Sequence, residues 1–228
     1  ALSSAASDVY KRQHIYCVEI DRDLAAWLRT KFTPEQLTVL EADALKFDWR
    51  DFAAEEKIRV VGNLPYNISS PLLFKLSEIS DRVVDQHFML QKEVVDRMVA
   101  APGSKAYGRL SVMLQRKYRM VKLFDVPPEA FTPAPKVMSS VVRMIPIQNP
   151  AEVDEETFHQ VVAASFAMRR KTLKNNLAKW ISPEMMEEAG IKPEQRAESV
   201  PLENFIRLAR LVHAAGISIV LPGQVQPD

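Results

Sequence analysis

The sequence predicts an α/β domain built on a mostly parallel sheet, followed by a small all-helical domain. Three observations carry that reading. Short apolar runs alternate with stretches of helical spacing from residue 14 to residue 118, the pattern of βαβ units. Two more apolar runs then follow each other with only a Pro-rich loop between them, which suits an antiparallel pair at one edge of the sheet. Beyond "QNPAEVD" (148–154) strand signals stop and helical spacing alone remains. We therefore place a domain boundary near residue 150, with residues 14–149 forming the α/β unit and 150–228 the helical one.

Each element has its local reason. "HIYCVEID" (14–21) is a short apolar run ending in acids and predicts a buried strand. "RDLAAWLRTKF" (22–32) has helical spacing, and Asp21 before it suits a cap. "LTVLEAD" (37–43) and "KIRVVGN" (57–63) predict the next two strands. "SPLLFKLSEI" (70–79) predicts a helix capped by Ser70, with Pro71 in its first turn. "VVDQHFML" (83–90) is a fourth strand and leads into the helix "QKEVVDRMVA". "YGRLSVMLQRKY" (107–118) is helical, and "RMVKLFDVP" and "KVMSSVVRMIPI" are the two edge strands. The loop "PEAFTPAPK" between them is too rich in proline for a helix. The second domain reads as one or two helices over 154–180, a short one ending at Gly190, another over "PLENFIRLARLVHAAG", and a frayed tail "LPGQVQPD".

Composition excludes some classes and leaves others open. Lys and Arg total 30 against 29 Asp and Glu, so only a local basic patch can argue for a nucleic-acid partner. The single cysteine, Cys17, cannot form an internal disulfide and reads as a small buried hydrophobe in a reduced, cytoplasmic setting. Histidines 14, 87, 159 and 213 show no ligand spacing, so no metal is expected. No apolar run reaches the ~18 residues of a membrane span. The N-terminal "ALSSAASDVYKRQ" lacks the apolar core of a signal peptide.

Open α/β sheets bind ligands at the carboxyl ends of their strands. There the sequence places Glu19, Asp21, Asp43 and Asn63. An acid in the position of Glu19 can accept from both hydroxyls of a ribose, and Asp43 from an adenine amino group. Equally, such acids cap the helices that follow. For Asp21 capping is the favoured role. "GNLPYN" (62–67) is more specific. Pro65 removes a backbone donor and pushes Leu64 out of the helical region, which frees the Leu64 carbonyl to point outward. Asn63 adds a second acceptor beside it. Two acceptors suit a planar amine with two N–H donors, and Tyr66 offers a ring on which a base can stack. The arrangement suits the exocyclic amine of a flipped-out base held for attack on an electrophilic methyl group. Read alone, the motif is also compatible with a Pro-containing turn that packs a tyrosine.

"NLPY" with "NISSPLLFKL", "FMLQKEVVDRM", "YGRLSVMLQ", "FTPAPKVMSSVV" and "FAMRRKTLKNNL", in that order, resembles the ribosomal RNA adenine N6-dimethyltransferase family, and within it the bacterial small-subunit, kasugamycin-resistance branch. The resemblance runs from about residue 14 to about residue 215. It implies a Rossmann-like methyltransferase sheet, S-adenosylmethionine as cofactor, and dimethylation of two adjacent adenosines near the 3′ end of small-subunit RNA. It also implies a cytoplasmic monomer that acts on the small-subunit pre-ribosomal particle. By motif, Glu19 matches the ribose-binding acid, and Asp43, with Ala44 beside it, the adenine-contacting acid. Asn63, Leu64, Pro65 and Tyr66 match the catalytic motif, with Asn63 also at the cofactor. Phe131 matches an aromatic near the target base, or else anchors its own loop. The basic run supplies Arg169, Arg170 and Lys171 as RNA contacts, with Lys174 and Lys179 nearby in sequence; Arg109, Arg116 and Lys136 are weaker candidates.

One feature departs from the family. A strand and a glycine-rich loop are expected before "HIYCVEID", yet the sequence holds no glycine before Gly62. On that basis residues 1–13 read as a segment foreign to the family on a truncated chain. The absent strand belongs between "HIYCVEI" and "KIRVVGN", whose edges are then expected either to stay unpaired or to close on each other. Weak or no cofactor binding follows as an expectation. The competing functions are an RNA-binding assembly factor without activity, a large-subunit adenine methyltransferase of the macrolide-resistance type, and a DNA adenine methyltransferase.

Overall fold

The computed structural model describes residues 14–220; the expectations for residues 1–13 and for the tail 221–228 lie outside them. The first unit is a parallel pair, β1 (Ile15–Glu19) and β2 (Leu37–Glu41), joined by helix α1 (Arg22–Lys31). Asp21 caps α1 by accepting from the backbone of Asp23 and Leu24, so its capping role holds. A short helix α2 (Trp49–Phe52), which the sequence pattern did not predict, precedes β3 (Ile58–Asn63). Helix α3 (Ser69–Ser77) leads through a 3-10 turn to β4 (Val83–Gln91) and α4 (Lys92–Met98). Helix α5 (Arg109–Gln115) is followed by β5 (Tyr118–Val126) and β6 (Ser139–Pro146).

These four strands form one sheet in the order β3-β4-β6-β5. β3 and β4 are parallel, while β6 runs antiparallel between β4 and β5. The expected antiparallel edge pair is therefore present. β1 and β2 form a separate two-stranded sheet, and among the described residues β1 and β3 do not pair. Of the two outcomes expected at that place, direct closure of β1 on β3 does not occur, and among the described residues neither edge has another partner strand.

The one-sided ladder of β1 among the described residues shows in its exposure. β1 was expected to be buried, yet Tyr16 is 52% exposed and Ile20 just beyond it is 68% exposed. A parallel strand is buried on both faces only when neighbours flank it, and β1 has its ladder on one side alone among the described residues. Cys17 is accordingly half-buried rather than buried, and partial burial, with Glu19 nearby, raises its thiol pKa. The Ser70 cap is also corrected. Helix α3 starts one residue earlier, with Ile68 at the cap position and no side-chain bond there. The Ser69 hydroxyl instead donates to the Tyr66 carbonyl at 3.2 Å. Pro71 stays within the first turn, as expected.

The remaining helices are α6 (Glu155–Ser165), α7 (Leu173–Leu177), α8 (Pro183–Glu188) and α9 (Leu202–Ala214). They enclose one apolar core around Phe158, Leu173, Leu177, Met186 and Phe205. A second core lies against the four-stranded sheet around Leu73, Leu76, Phe88, Met98 and Met144. Helix α5 serves both, because Val112 belongs to the helical core and Leu114 to the sheet core.

Candidate active site

The rim is built where β3 ends. Leu64 extends the β3–β4 ladder by one bond, its N–H donating to the Met89 carbonyl at 3.1 Å. Its side chain folds back onto the sheet core. Gly62 permits that: a methyl added there would lie 3.0 Å from Leu64 Cδ2 and 3.6 Å from the Phe88 ring. Pro65 then breaks the ladder, and its carbonyl accepts from the Ile68 N–H at 3.2 Å to form the turn into α3. With Leu64 anchored inward, Asn63 is exposed and Tyr66 is 71% exposed. Among the described residues no hydrogen bond engages the Asn63 carboxamide or the Leu64 carbonyl. Two acceptors and an aromatic face thus stand available on a rigid strand end.

The acids at the ends of β1 and β2 each use one oxygen locally. Glu19 Oε1 accepts from the Asp21 N–H at 2.9 Å, and Asp43 Oδ1 accepts from the Leu45 N–H at 2.9 Å. Among the described residues their other carboxylate oxygens have no partner, so each keeps an acceptor for a ligand. The Ala42 N–H donates to the Glu19 carbonyl, which ties the two strand ends together. The segment after Asp43 is stiff: its carbonyl accepts from Lys46 and Phe47, and the Ala44 carbonyl accepts from Trp49 Nε1 at 2.9 Å. Lys75 Nζ of α3 reaches across to the Leu45 carbonyl at 2.7 Å. Val18, Ala44, Leu45, Phe47 and Leu64 all pack against the sheet core, so the acid-bearing ends and the Asn63 motif share one support although, among the described residues, their sheets do not pair.

Phe131 is half-buried and follows a 3-10 turn, Pro128–Ala130. Its loop carries exposed Lys136, and the loop's end is tied to the rim by the Lys92 N–H donating to the Met138 carbonyl at 2.9 Å. The basic candidates separate into two groups. Arg169 and Arg170 line a hollow of about 340 Å³ together with Lys105, Arg196 and Glu198. Arg169 donates to the Lys105 carbonyl at 2.7 Å and lies 3.9 Å from Glu198. Lys171 is exposed on the same bend. Arg109 does not join them. Its guanidinium lies 5.9 Å from the centre of the Phe74 ring and contacts His159 Nε2, and burial lowers its pKa. Arg116 is buried, bonded to the Ala151 carbonyl and to Glu155, and stacked on Phe158. Arg116 is committed to internal contacts, while Arg109 remains exposed. Lys105 and Arg196 escaped sequence reading because they stand 64 residues before and 27 residues after Arg169, where no spacing rule connects them.

The chain matches the family model described as ribosomal RNA adenine dimethylase over residues 4–214. It belongs to that family. A similar protein is ribosomal RNA small subunit methyltransferase A of Bordetella avium, 58% identical over 202 residues, which cover 88% of this chain and 76% of that protein. Its counterpart in Laribacter hongkongensis is 54% identical over 198 residues, covering 86% and 75%. Among solved structures, a Plasmodium falciparum dimethyladenosine transferase has the same fold, with a TM-score of 0.76 at 23% identity over 91% of this chain and 84% of that one. The 23S rRNA methyltransferase ErmE follows at TM-score 0.69 and 21% identity, covering 92% and 86%. The dimethylase fold is therefore Rossmann-like, and the family's methyl donor is S-adenosylmethionine. Among the described residues no cluster of His, Cys, Asp or Glu could hold a metal ion.

Proposed function

We propose that this dimethylase transfers two methyl groups to N6 of each of two adjacent adenosines near the 3′ end of small-subunit ribosomal RNA. The observation that carries the reading is the pair of unengaged acceptors, Asn63 and the Leu64 carbonyl, beside exposed Tyr66. The small-subunit names of relatives more than 50% identical support the substrate, whereas the large-subunit enzyme matches at 21%.

S-adenosylmethionine supplies the methyl group as an electrophile, with Glu19 placed to hold its ribose and Asp43, beside Ala44, its adenine. The Asn63 oxygen and the Leu64 carbonyl accept from the two N–H groups of the target amine, and Tyr66 stacks on the flipped base. Both acceptors draw the nitrogen lone pair out of conjugation with the ring. As the nitrogen–carbon bond forms, the donor's methyl–sulfur bond breaks with its electron pair left on sulfur; the nitrogen becomes positive, and the acceptors stabilise that charge on a preorganised strand end. The proton then leaves to water, so no strong base is required. One N–H remains after the first transfer, and the same acceptors orient it for the second.

Phe131 flanks the base from the loop tied to the rim. Arg169, Arg170 and Lys171, joined by Lys105 and Arg196, grip RNA phosphates from the helical unit beyond residue 150; exposed Lys136 adds a weaker contact. The enzyme works as a monomer on the small-subunit particle, in the cytoplasm. Among the described residues no helix is long and apolar enough to cross a membrane.

The test is transfer of labelled methyl groups to unmodified small-subunit particles by the full-length protein, with large-subunit RNA and DNA as controls. Dimethylated adenosine in small-subunit RNA alone is expected. RNA binding without transfer sinks the enzyme reading. In the same system Lys105→Ala and Arg196→Ala should each lower the slope of log affinity against log salt by about 1.

A further inference from the structure

Asn63 and the Leu64 carbonyl recognise a planar amine, but guanine and cytosine also carry one. A second group must read the rest of the base, and the register of the sheet shows where it stands. Asn63 pairs with Met89 across the parallel β3–β4 ladder. Gln91 lies two residues further along β4, on the same face as Met89 and Asn63 because strand side chains alternate. Strand rise and spacing put it about 7 Å beyond Met89 on a strand about 4.8 Å away.

Among the described residues no structural contact accounts for this glutamine. It occupies the cap position of α4 but makes no side-chain capping bond, whereas Asp21, Asp48 and Asp154 each cap their helices. Glutamine is not among the side chains that cap well. Its carboxamide is half-buried and has no hydrogen-bond partner among the described residues. Its backbone, by contrast, is fixed. Gln91 pairs with Ser139 of β6, and the next N–H, that of Lys92, is bonded to Met138. Gln91 thus holds a carboxamide without a partner, among the described residues, on a fixed backbone beside the Asn63 rim.

We propose that Gln91 determines base specificity, its amide N–H donating to a ring nitrogen that flanks the target amine. The proposal rests on the adenosine N6 reading above. Glutamine pairs with adenine through N6 and N7 when both are free. Here the N6 protons are committed to Asn63 and Leu64, which leaves the donor half of the amide for the ring. Adenine alone has ring-nitrogen acceptors on both sides of its amine, N1 and N7. Guanine sets an N1–H donor beside its amine, and cytosine a C5–H.

The experiment uses the full-length protein and small-subunit RNA carrying adenosine, 1-deazaadenosine or 7-deazaadenosine at the target. For the wild type, kcat/KM should fall about tenfold on one of the two analogues, the effect of one lost hydrogen bond, and that analogue names the nitrogen. Gln91→Leu should lower the adenosine rate about tenfold and become indifferent to the same analogue. Gln91→Glu, which keeps the shape but loses the donors, should match it. A wild type indifferent to both analogues overturns the proposal, as do variants that keep its preference. If Gln91→Leu does not fold, the wild-type and Gln91→Glu rates decide alone. A wild type that methylates no adenosine overturns the underlying reading instead, and this inference with it.

Discussion

Replacing Asn63 by alanine separates catalysis from folding more cleanly than any other change at the rim. The side chain is exposed, ends its strand and has no hydrogen-bond partner among the described residues. Such a substitution shifts stability by no more than about 0.5 kcal/mol. In the proposed reaction the same oxygen faces a nitrogen that becomes positively charged, and a hydrogen bond to a charged group contributes about 1.5–3 kcal/mol. At 1.36 kcal/mol per factor of ten, kcat should fall roughly 10- to 150-fold. The loss is partial because the Leu64 carbonyl, fixed by the ladder bond to Met89, is untouched. Asn63→Asp keeps an oxygen at the same place and should lose less. Single-turnover transfer to small-subunit particles, followed by mass spectrometry of the digested RNA, measures the rate; a thermal melt measures the fold. An alanine variant within threefold of wild type refutes the role assigned to Asn63. So does a loss of rate that tracks a matching fall in Tm.

Further tests concern what holds the site in place. The hydroxyl of buried Tyr118 donates to the Leu76 carbonyl at 3.1 Å and accepts from Gln86 Nε2 at 3.0 Å, while Gln86 Oε1 is already without a partner. Tyr118→Phe should destabilise by about 2 kcal/mol, a fall in Tm of roughly 4–8 °C by calorimetry. Arg116→Met should cost about 2 kcal/mol in a urea titration, below the usual toll of a broken buried ion pair, because Glu155 is 62% exposed and keeps Lys117. Asp154 caps α6, and its bonds from the Thr157 hydroxyl and then the Thr157 N–H hold its carboxyl below the usual range. A depressed folded pKa gives stability that is present above the unfolded value, about 3.9, and lost as pH falls through the folded one. Asp154→Ala should therefore cost about 1 kcal/mol at neutral pH. Its difference from wild type should shrink in melts run below about pH 4.

What the sequence disclosed depended on how local the cause was. The strands over 37–41, 58–63 and 83–91 were legible because their apolar runs and polar ends are properties of the strands themselves. The Asn63 motif was legible because Pro65 acts on its immediate neighbours. The burial of β1 was not, since it depends on whether a neighbouring strand flanks it. The fate of a charge was hidden for the same reason. Arg116 reads as a candidate RNA contact, but it is buried against Glu155, 39 residues away. Helix α3 starts at Ser69 rather than after a Ser70 cap because the Pro65 turn, not a side chain, launches it.

The two parts of the site are also linked mechanically. Helix α4 begins beside the acceptor rim, directly after Gln91, and its seven residues span about 10 Å. At its far end, Gln115 of α5 donates to the Met98 and Ala100 carbonyls, and the Ser111 hydroxyl to that of Arg97, so α4 and α5 are locked together. The connecting turn carries Lys105 into the basic hollow. There the Gly103 N–H donates to the Glu198 carbonyl at 2.7 Å, and the Tyr107 hydroxyl to that of Val200 at 3.1 Å. These bonds tie the segment that bears Arg196 to the one that bears Lys105. A path of short helices and hydrogen bonds therefore runs from the strand end at Gln91 to the hollow. On the proposed reading, in which the hollow takes RNA phosphates and Asn63 the target base, this path sets the separation of the two contacts.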